Sequence, residues 1–249
     1  GGKNFIEMFT RDNQFWISIG ITLKFMLMFV PLNIIMALVL AILISKPLRG
    51  ISVFRTIFYL PSVVSSVAVA IMWGWIFHPE YGLLNYVLSL LGISGPRWLS
   101  DPSWAIVAIV IASLWSLGTM MLIFYTAIKS IPKDIYEDAI IAGASPFRTF
   151  FSITLPLITP TLLFNLITST IGAMQELSLV LLLTRGGPVK STYFYGLYVY
   201  RNAFIHFKLG YAAANAWFMF IIILLLTLLI FKSSPLWVFY EHEVSKKNI

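Results

Sequence analysis

The chain has 249 residues, of which 59% are hydrophobic and 11% charged, with a mean hydropathy of +0.88. A soluble domain carries about 25% charged residues, so this composition excludes an ordinary soluble protein and indicates one embedded in a membrane. The absence of cysteine excludes disulfides, thiolate metal sites and cysteine nucleophiles, and the net charge of +7 fits basic loops beside anionic lipid better than a nucleic-acid surface.

The chain begins GGKNFIEMF, without an initiator Met or a signal-peptide pattern. A hydrocarbon core about 30 Å thick needs about 20 apolar residues in a helix. On that measure five spans are expected, at about 15–44, 53–77, 104–128, 155–183 and 211–231. Pro31 is expected to kink the first, Ser45-Lys46-Pro47 to stop it, and Lys24 to snorkel to the outer interface. The first and fourth stretches exceed the required length, so tilt or breaks are expected there. Between the spans lie polar joints: a short basic one with Lys46, Arg49 and Arg55, and a Gly- and Pro-rich one from His78 to Ser103. A third, from Thr184 to Gly210, carries the turn signal Arg185-Gly186-Gly187-Pro188. The aromatics that follow (Tyr193, Tyr195, Tyr198, Tyr200, Phe204) suggest an interfacial helix or a lid at headgroup level.

The most informative joint is EDAIIAGASPFRTFFSITLP, residues 137–156. Glu137 opens a helical run, Gly143 interrupts it, and Ser145-Pro146 restarts it as N-cap and first turn. Phe147, Phe150, Phe151 and Ile153 then give an apolar face at roughly helical spacing. A helix–Gly–helix with an exposed carboxylate is a docking element on a membrane protein's surface, not a span. The pattern resembles the E-A-A loop of ABC importer permeases. Glu137, Ala139, Gly143, Ala144, Phe150, Ile153, Leu155 and Pro156 fall on the family positions, while Asp138 replaces an alanine and Ala142 an acidic residue.

That resemblance implies an all-α polytopic membrane protein with the type I permease fold of ABC importers. It implies a cytoplasmic coupling helix within about 131–154 and a further apolar span preceding Gly1. It makes Glu137, Asp138, Ala139, Gly143, Ala144, Ser145 and Pro146 the residues that couple to an ATPase. Facing the loop to the cytoplasm puts nine Lys and Arg on that side and seven on the other, a weak positive-inside bias. FYLPS (58–62), WGWIF (73–77), the segment from His78 to Asn85, and the closing Leu236-Trp237-Val238-Phe239-Tyr240-Glu241 are similar to carbohydrate-uptake permeases of the maltose and glycerol-phosphate type. Implied partners are a second permease subunit, two ATPase subunits, an extracytoplasmic solute-binding protein, a sugar and membrane lipid. The resemblance places the chain in a bacterial or archaeal cell (inner) membrane.

Catalytic constellations are thin. Gly186-Gly187-Pro188-Val189-Lys190-Ser191-Thr192 superficially suggests a phosphate loop, but Val189 stands where glycine must precede the lysine and Pro188 removes an amide. It reads as a turn, so no cofactor is expected on this chain, and ATP and Mg belong to the partner ATPase. His78, His206 and His242 lie in loops or the tail, with no H-E-x-x-H pairing and no G-x-S-x-G turn. His242 between Glu241 and Glu243 reads as solvated tail rather than a metal site.

Polar residues inside spans usually face a protein interior or a water cavity. Those of the fourth span, Asn165, Thr168, Ser169, Gln175 and Glu176, and Tyr211, Asn215 and Trp217 of the fifth, are the candidate substrate pathway. The competing reading is helix–helix hydrogen bonding, and for Trp217 an interface anchor. Glu176 is the one acidic residue inside a predicted span. Two alternatives stay open: an importer permease for peptides or amino acids, and an ATP-independent secondary transporter.

Overall fold

The structure, a computed structural model, describes residues 2–46 and 49–239. Pro47, Tyr240, Glu241, His242 and Glu243, to which the sequence assigns a helix stop and part of a tail, lie outside the described residues. Among the described residues every regular element is helical.

A short helix, α1 (Lys3–Thr10), opens the described chain, and three helices are long and apolar enough to cross a membrane: α2 (Asn13–Ser45), the stretch Thr159–Leu183, and the stretch Leu209–Leu236. Two further pairs reach that length only when each is joined across a sharp bend. The first pair is α3 (Ile51–Tyr59) with its 3-10 extension Leu60–Val63, followed by α4 (Ser66–Ile76). Where the sequence predicts one helix over 53–77, Ser65 leaves the helical region and its hydroxyl accepts the amide N–H of Val67, starting α4 afresh. The second pair is α6 (Pro102–Leu114) and α7 (Gly118–Ser130), separated by a Trp115–Leu117 turn. α2, by contrast, runs unbroken through Pro31.

Two compact units share these helices. One contains residues 2–32, Val63–Ser116 and Thr170–Leu224. Its core joins Trp73, Phe77 and Trp98 to Ala108, Ala112 and Leu179. Ala108 and Ala112 are fully buried at i and i+4, the small-residue spacing that lets helices approach closely where lipid offers no hydrophobic drive. α5 (Leu83–Leu90) joins this unit, and Trp98 Nε1 donates to Asn85 Oδ1 across its connector at 2.7 Å.

The other unit contains Asn33–Ser62, Leu117–Ser169 and residues 225–239. Ala37 and Ala41 repeat the i, i+4 device on α2, packed with Met121, Phe124 and Ile158. Gly118 is required here because a Cβ would collide with the carbonyl of Phe58. α8 (Lys133–Ile141) and α9 (Pro146–Thr149) follow, then a π-helical turn Phe150–Thr154 and α10 (Leu155–Leu157). Pro156 has no N–H to return to the carbonyl of Ser152. The π turn absorbs this defect, with the amide of Leu155 bonding five residues back to Phe150.

Candidate functional site

The segment from Lys133 to Thr149 forms two helices joined by a turn whose sequence logic is local. α8 ends because Gly143 takes φ +72°, the left-handed conformation. The amide of Gly143 donates to Ile140 O and that of Ala144 to Ala139 O, both at 2.9 Å. These two bonds are a Schellman motif, and they satisfy carbonyls that would otherwise be orphaned at the helix end. Ser145 then starts α9: its hydroxyl accepts the amide N–H of Arg148 at 3.3 Å, with Pro146 in the first turn. Ala139 is buried and points inward, while Tyr136 and Thr154 join hydroxyls at 3.1 Å beneath the helix. The outward side presents Glu137, Asp138, Ser145 and Pro146 beside Ile140, Ile141 and Phe147. The last three are 72%, 84% and 76% exposed. An apolar surface rimmed by carboxylates marks a protein interaction site.

The polar residues of the long helices divide by exposure. On α11 (Thr159–Met174), Asn165 and Ser169 are buried, and the Ser169 hydroxyl accepts from Asn33 Nδ2 of α2 at 3.2 Å. Both amide atoms of Asn165, and Oδ1 of Asn33, are buried without a hydrogen-bond partner among the described residues. Thr168 is exposed beside Phe164, although its hydroxyl returns to backbone carbonyls of its own helix. Asn165 and Thr168 thus lie on two faces of α11, one buried and one open. Gln175, just past the end of α11, is exposed. Glu176 sits at a break between α11 and α12 (Ser178–Leu183), where its Oε1 accepts the amide N–H of Leu179 at 2.9 Å. It serves there as a helix cap. Trp217 of α14 (Leu209–Ser233) is exposed beside Phe220, ring centroids 5.8 Å apart, in a shallow apolar recess with Ala213 and Ala216.

Tyr211 and Asn215 belong to a different construction, centred on a residue the sequence reading missed. Tyr198 donates to Asp12 Oδ2 at 2.6 Å and Tyr211 to the same oxygen at 2.9 Å. The other carboxylate oxygen caps α2, accepting from the amides of Gln14 and Phe15. Burial opposes the charge on Asp12, but the two hydroxyls and the two amides outweigh it and hold the carboxyl below the usual carboxylate range. Burial, and then Asp12 itself, push the Tyr198 hydroxyl up. The network continues through Asn215, which is fully buried: Nδ2 donates to Tyr211 O at 2.8 Å and Oδ1 accepts from Tyr195 at 3.1 Å. Tyr193, Tyr195 and Tyr198, expected at headgroup level, are therefore turned inward around α13 (Tyr195–Tyr200). An acid directly before an apolar run is an N-cap signal that marks Asp12 in the sequence.

The phosphate-loop-like string closes on itself. Thr192 Oγ1 donates to Gly187 O at 2.6 Å, and Arg185, Val189 and Lys190 all take positive φ. No group of three or more His, Cys, Asp or Glu that could hold a metal occurs among the described residues.

Helices of spanning length, some of them sharply bent, and close-packed alanines define a multi-pass helical membrane protein. The chain belongs to the family described as Binding-protein-dependent transport system inner membrane component, which matches residues 33–237. It is 41% identical over 247 residues to the probable ABC transporter permease protein YesP of Bacillus subtilis, covering 98% of this chain and 80% of that one. It is 38% identical over 193 residues to the trehalose/maltose transport system permease protein MalF of Thermococcus litoralis, covering 77% and 65%. The fold matches a chain of a solved bacterial alginate ABC transporter in complex with an alginate pentasaccharide-bound periplasmic protein. That match has a TM-score of 0.85 and 25% identity over 94% of this chain and 82% of the other.

Proposed function

We propose that this chain forms half of the translocation pathway of an ATP-driven, binding-protein-dependent importer for a sugar or oligosaccharide. The observation that carries the reading is the exposed element Lys133–Thr149, whose carboxylates form no ion pair among the described residues and whose Ile140, Ile141 and Phe147 are largely exposed. The sugar assignment is supported by the similar trehalose/maltose permease and the similar alginate transporter. In this reading the chain is non-catalytic and holds no cofactor. Two cytoplasmic ATPase subunits use ATP and Mg, a second permease completes the pathway, and an external solute-binding protein delivers the sugar.

Coupling follows from stiffness. Glu137 docks with a basic group in an ATPase cleft through a charge-assisted hydrogen bond, and Ile140, Ile141 and Phe147 fill the apolar floor. The Schellman turn at Gly143 fixes the angle between α8 and α9, so ATPase closure moves the element as a lever and the spans open outward. Among the pathway candidates, Thr168 of one compact unit and Gln175 and Trp217 of the other are exposed, and in this reading each is available to the solute or to the second permease. Asn165, with unpaired amide atoms, is available to sugar hydroxyls when the helices part. Ser169, Glu176, Tyr211 and Asn215, already engaged within the chain, position these surfaces.

The test is uptake of labelled oligosaccharide by proteoliposomes containing the assembled complex, with and without ATP and binding protein. Uptake that needs both supports the reading. Uptake by this chain alone contradicts it and favours a secondary transporter.

A further inference from the structure

Beneath the coupling element lies a groove of about 650 Å³, which shares Ile140, Ala144 and Pro146 with that element and extends beyond it to the ends of α2 and α7. It lies where two apolar helices end, α2 at Ser45 and α7 at Ser130. Its walls are apolar, with Ile42, Ile128, Ile131 and Phe150 among them, and its charged lining consists of Lys46, Lys129 and Lys133. No carboxylate of the described residues lines it, although Asp134, Glu137 and Asp138 all lie on the neighbouring helix. Lys129 Nζ donates to Ser45 O at 2.8 Å, which holds one ammonium at the rim. The ammonium groups of Lys46 and Lys133 form no hydrogen bond or ion pair among the described residues. An apolar trough lined by three lysines, with no carboxylate among the described lining residues, is complementary to an acyl chain carrying a negative headgroup.

We infer that this groove is a binding site for an anionic phospholipid. The phosphodiester sits among Lys46, Lys129 and Lys133, and an acyl chain lies against Ile42, Ile128 and Phe150. The inference rests on the reading of Lys133–Thr149 as the cytoplasmic coupling element, because that reading puts the groove in the inner leaflet. It goes further in assigning the lever a lipid footing. Ala144, Pro146 and Thr149 of the coupling turn also line the groove, so a bound lipid props the element from below while the ATPase grips it from above.

The experiment uses the assembled importer in nanodiscs of phosphatidylethanolamine with a minor share of phosphatidylglycerol. Lipid retained through detergent exchange is measured by native mass spectrometry. The unaltered complex should retain phosphatidylglycerol in excess over the bulk ratio. Each lysine near the surface is worth roughly a fivefold change in anionic lipid binding, so Lys46→Gln, Lys129→Gln and Lys133→Gln should each reduce the retained lipid by about that factor. Ile42→Trp, which fills the trough and leaves the charges alone, should also displace it. Retention at the bulk ratio in the unaltered complex overturns the inference. So does loss in the lysine variants with full retention in Ile42→Trp, because diffuse attraction would then explain the binding. The coupling reading is checked separately in the same preparations. If Glu137→Lys keeps the ATPase bound and coupled, that reading fails whatever the lipid does.

Discussion

Gly143→Ala and Gly143→Pro disturb the same turn by different amounts, and the difference can be worked from the geometry. At φ +72°, a Cβ added at residue 143 would meet nothing within 4 Å. Alanine therefore adds only the intrinsic left-handed penalty of about 1–2 kcal/mol. That shifts the turn against competing conformations by about fivefold to thirtyfold. Proline does more. It fixes φ near −65°, the opposite sign, and removes the amide that donates to Ile140 O at 2.9 Å, for a total of about 3 kcal/mol or more. In cells whose own copy is deleted, uptake of labelled sugar should be reduced but measurable with Gly143→Ala and lost with Gly143→Pro. Both chains should reach the membrane at normal levels on an immunoblot. Asn, which tolerates the left-handed region, should fall between Gly and Ala. Normal uptake with proline, or alanine as damaging as proline, would refute the idea that the turn geometry transmits the stroke.

Asp12→Ala removes the acceptor of two tyrosine hydroxyls and the cap of α2, and with solvent screening of this partly exposed group it should destabilise the purified complex by about 1–3 kcal/mol, read as a lower melting temperature. Because the folded state holds the Asp12 carboxyl below its ordinary value near 3.8, its contribution should be fully present above about pH 4 and lost as pH falls through the lower folded value. The difference in melting temperature between the parent and Asp12→Ala should therefore be constant from about pH 5 to 8 and shrink only in stronger acid; a difference that shrinks near neutrality would contradict the assignment. Asn165→Leu deletes a buried amide without partners and should raise thermal stability by about 1–2 kcal/mol while lowering uptake; a lower melting temperature would show that the amide serves the fold instead. Gln175→Ala and Trp217→Ala, at exposed positions, should lower uptake without altering co-purification of the other subunits, measured by quantitative gel analysis of the purified complex.

What the sequence revealed follows from how local each signal is. Ser145-Pro146 and Gly143 act within four residues of themselves, so the break at Gly143 and the cap at Ser145 were legible, while the left-handed φ of Gly143 came from the structure. The Asp12 cluster was not, because its bonds to Tyr198 and Tyr211 join residues 186 and 199 positions apart. No periodicity connects such pairs. The burial of the tyrosines after Thr192 was not legible for the same reason: aromatic composition suits a headgroup belt, while the acceptors that hold Tyr195 and Tyr198, Asn215 and Asp12, are distant in sequence. Breaks in the helices were partly legible. Pro156 announces a defect, but the Ser65 cap lies inside a long apolar run, where hydropathy alone predicts a continuous span. Ser169 was visible as a polar residue in a span, whereas its partner Asn33, two residues past a proline that leaves the helix unbroken, was passed over.

The central claim is that the exposed element around Glu137 joins this chain to an ATPase. The most direct measurement is purification by a tag on this chain from detergent-solubilised membranes, with ATPase activity assayed in the eluate. The account predicts that an ATPase subunit and a second permease come with the parent chain, and that both the ATPase subunit and the activity are lost with Glu137→Lys. A chain that purifies alone and without activity, or a Glu137→Lys complex that keeps both, would contradict it.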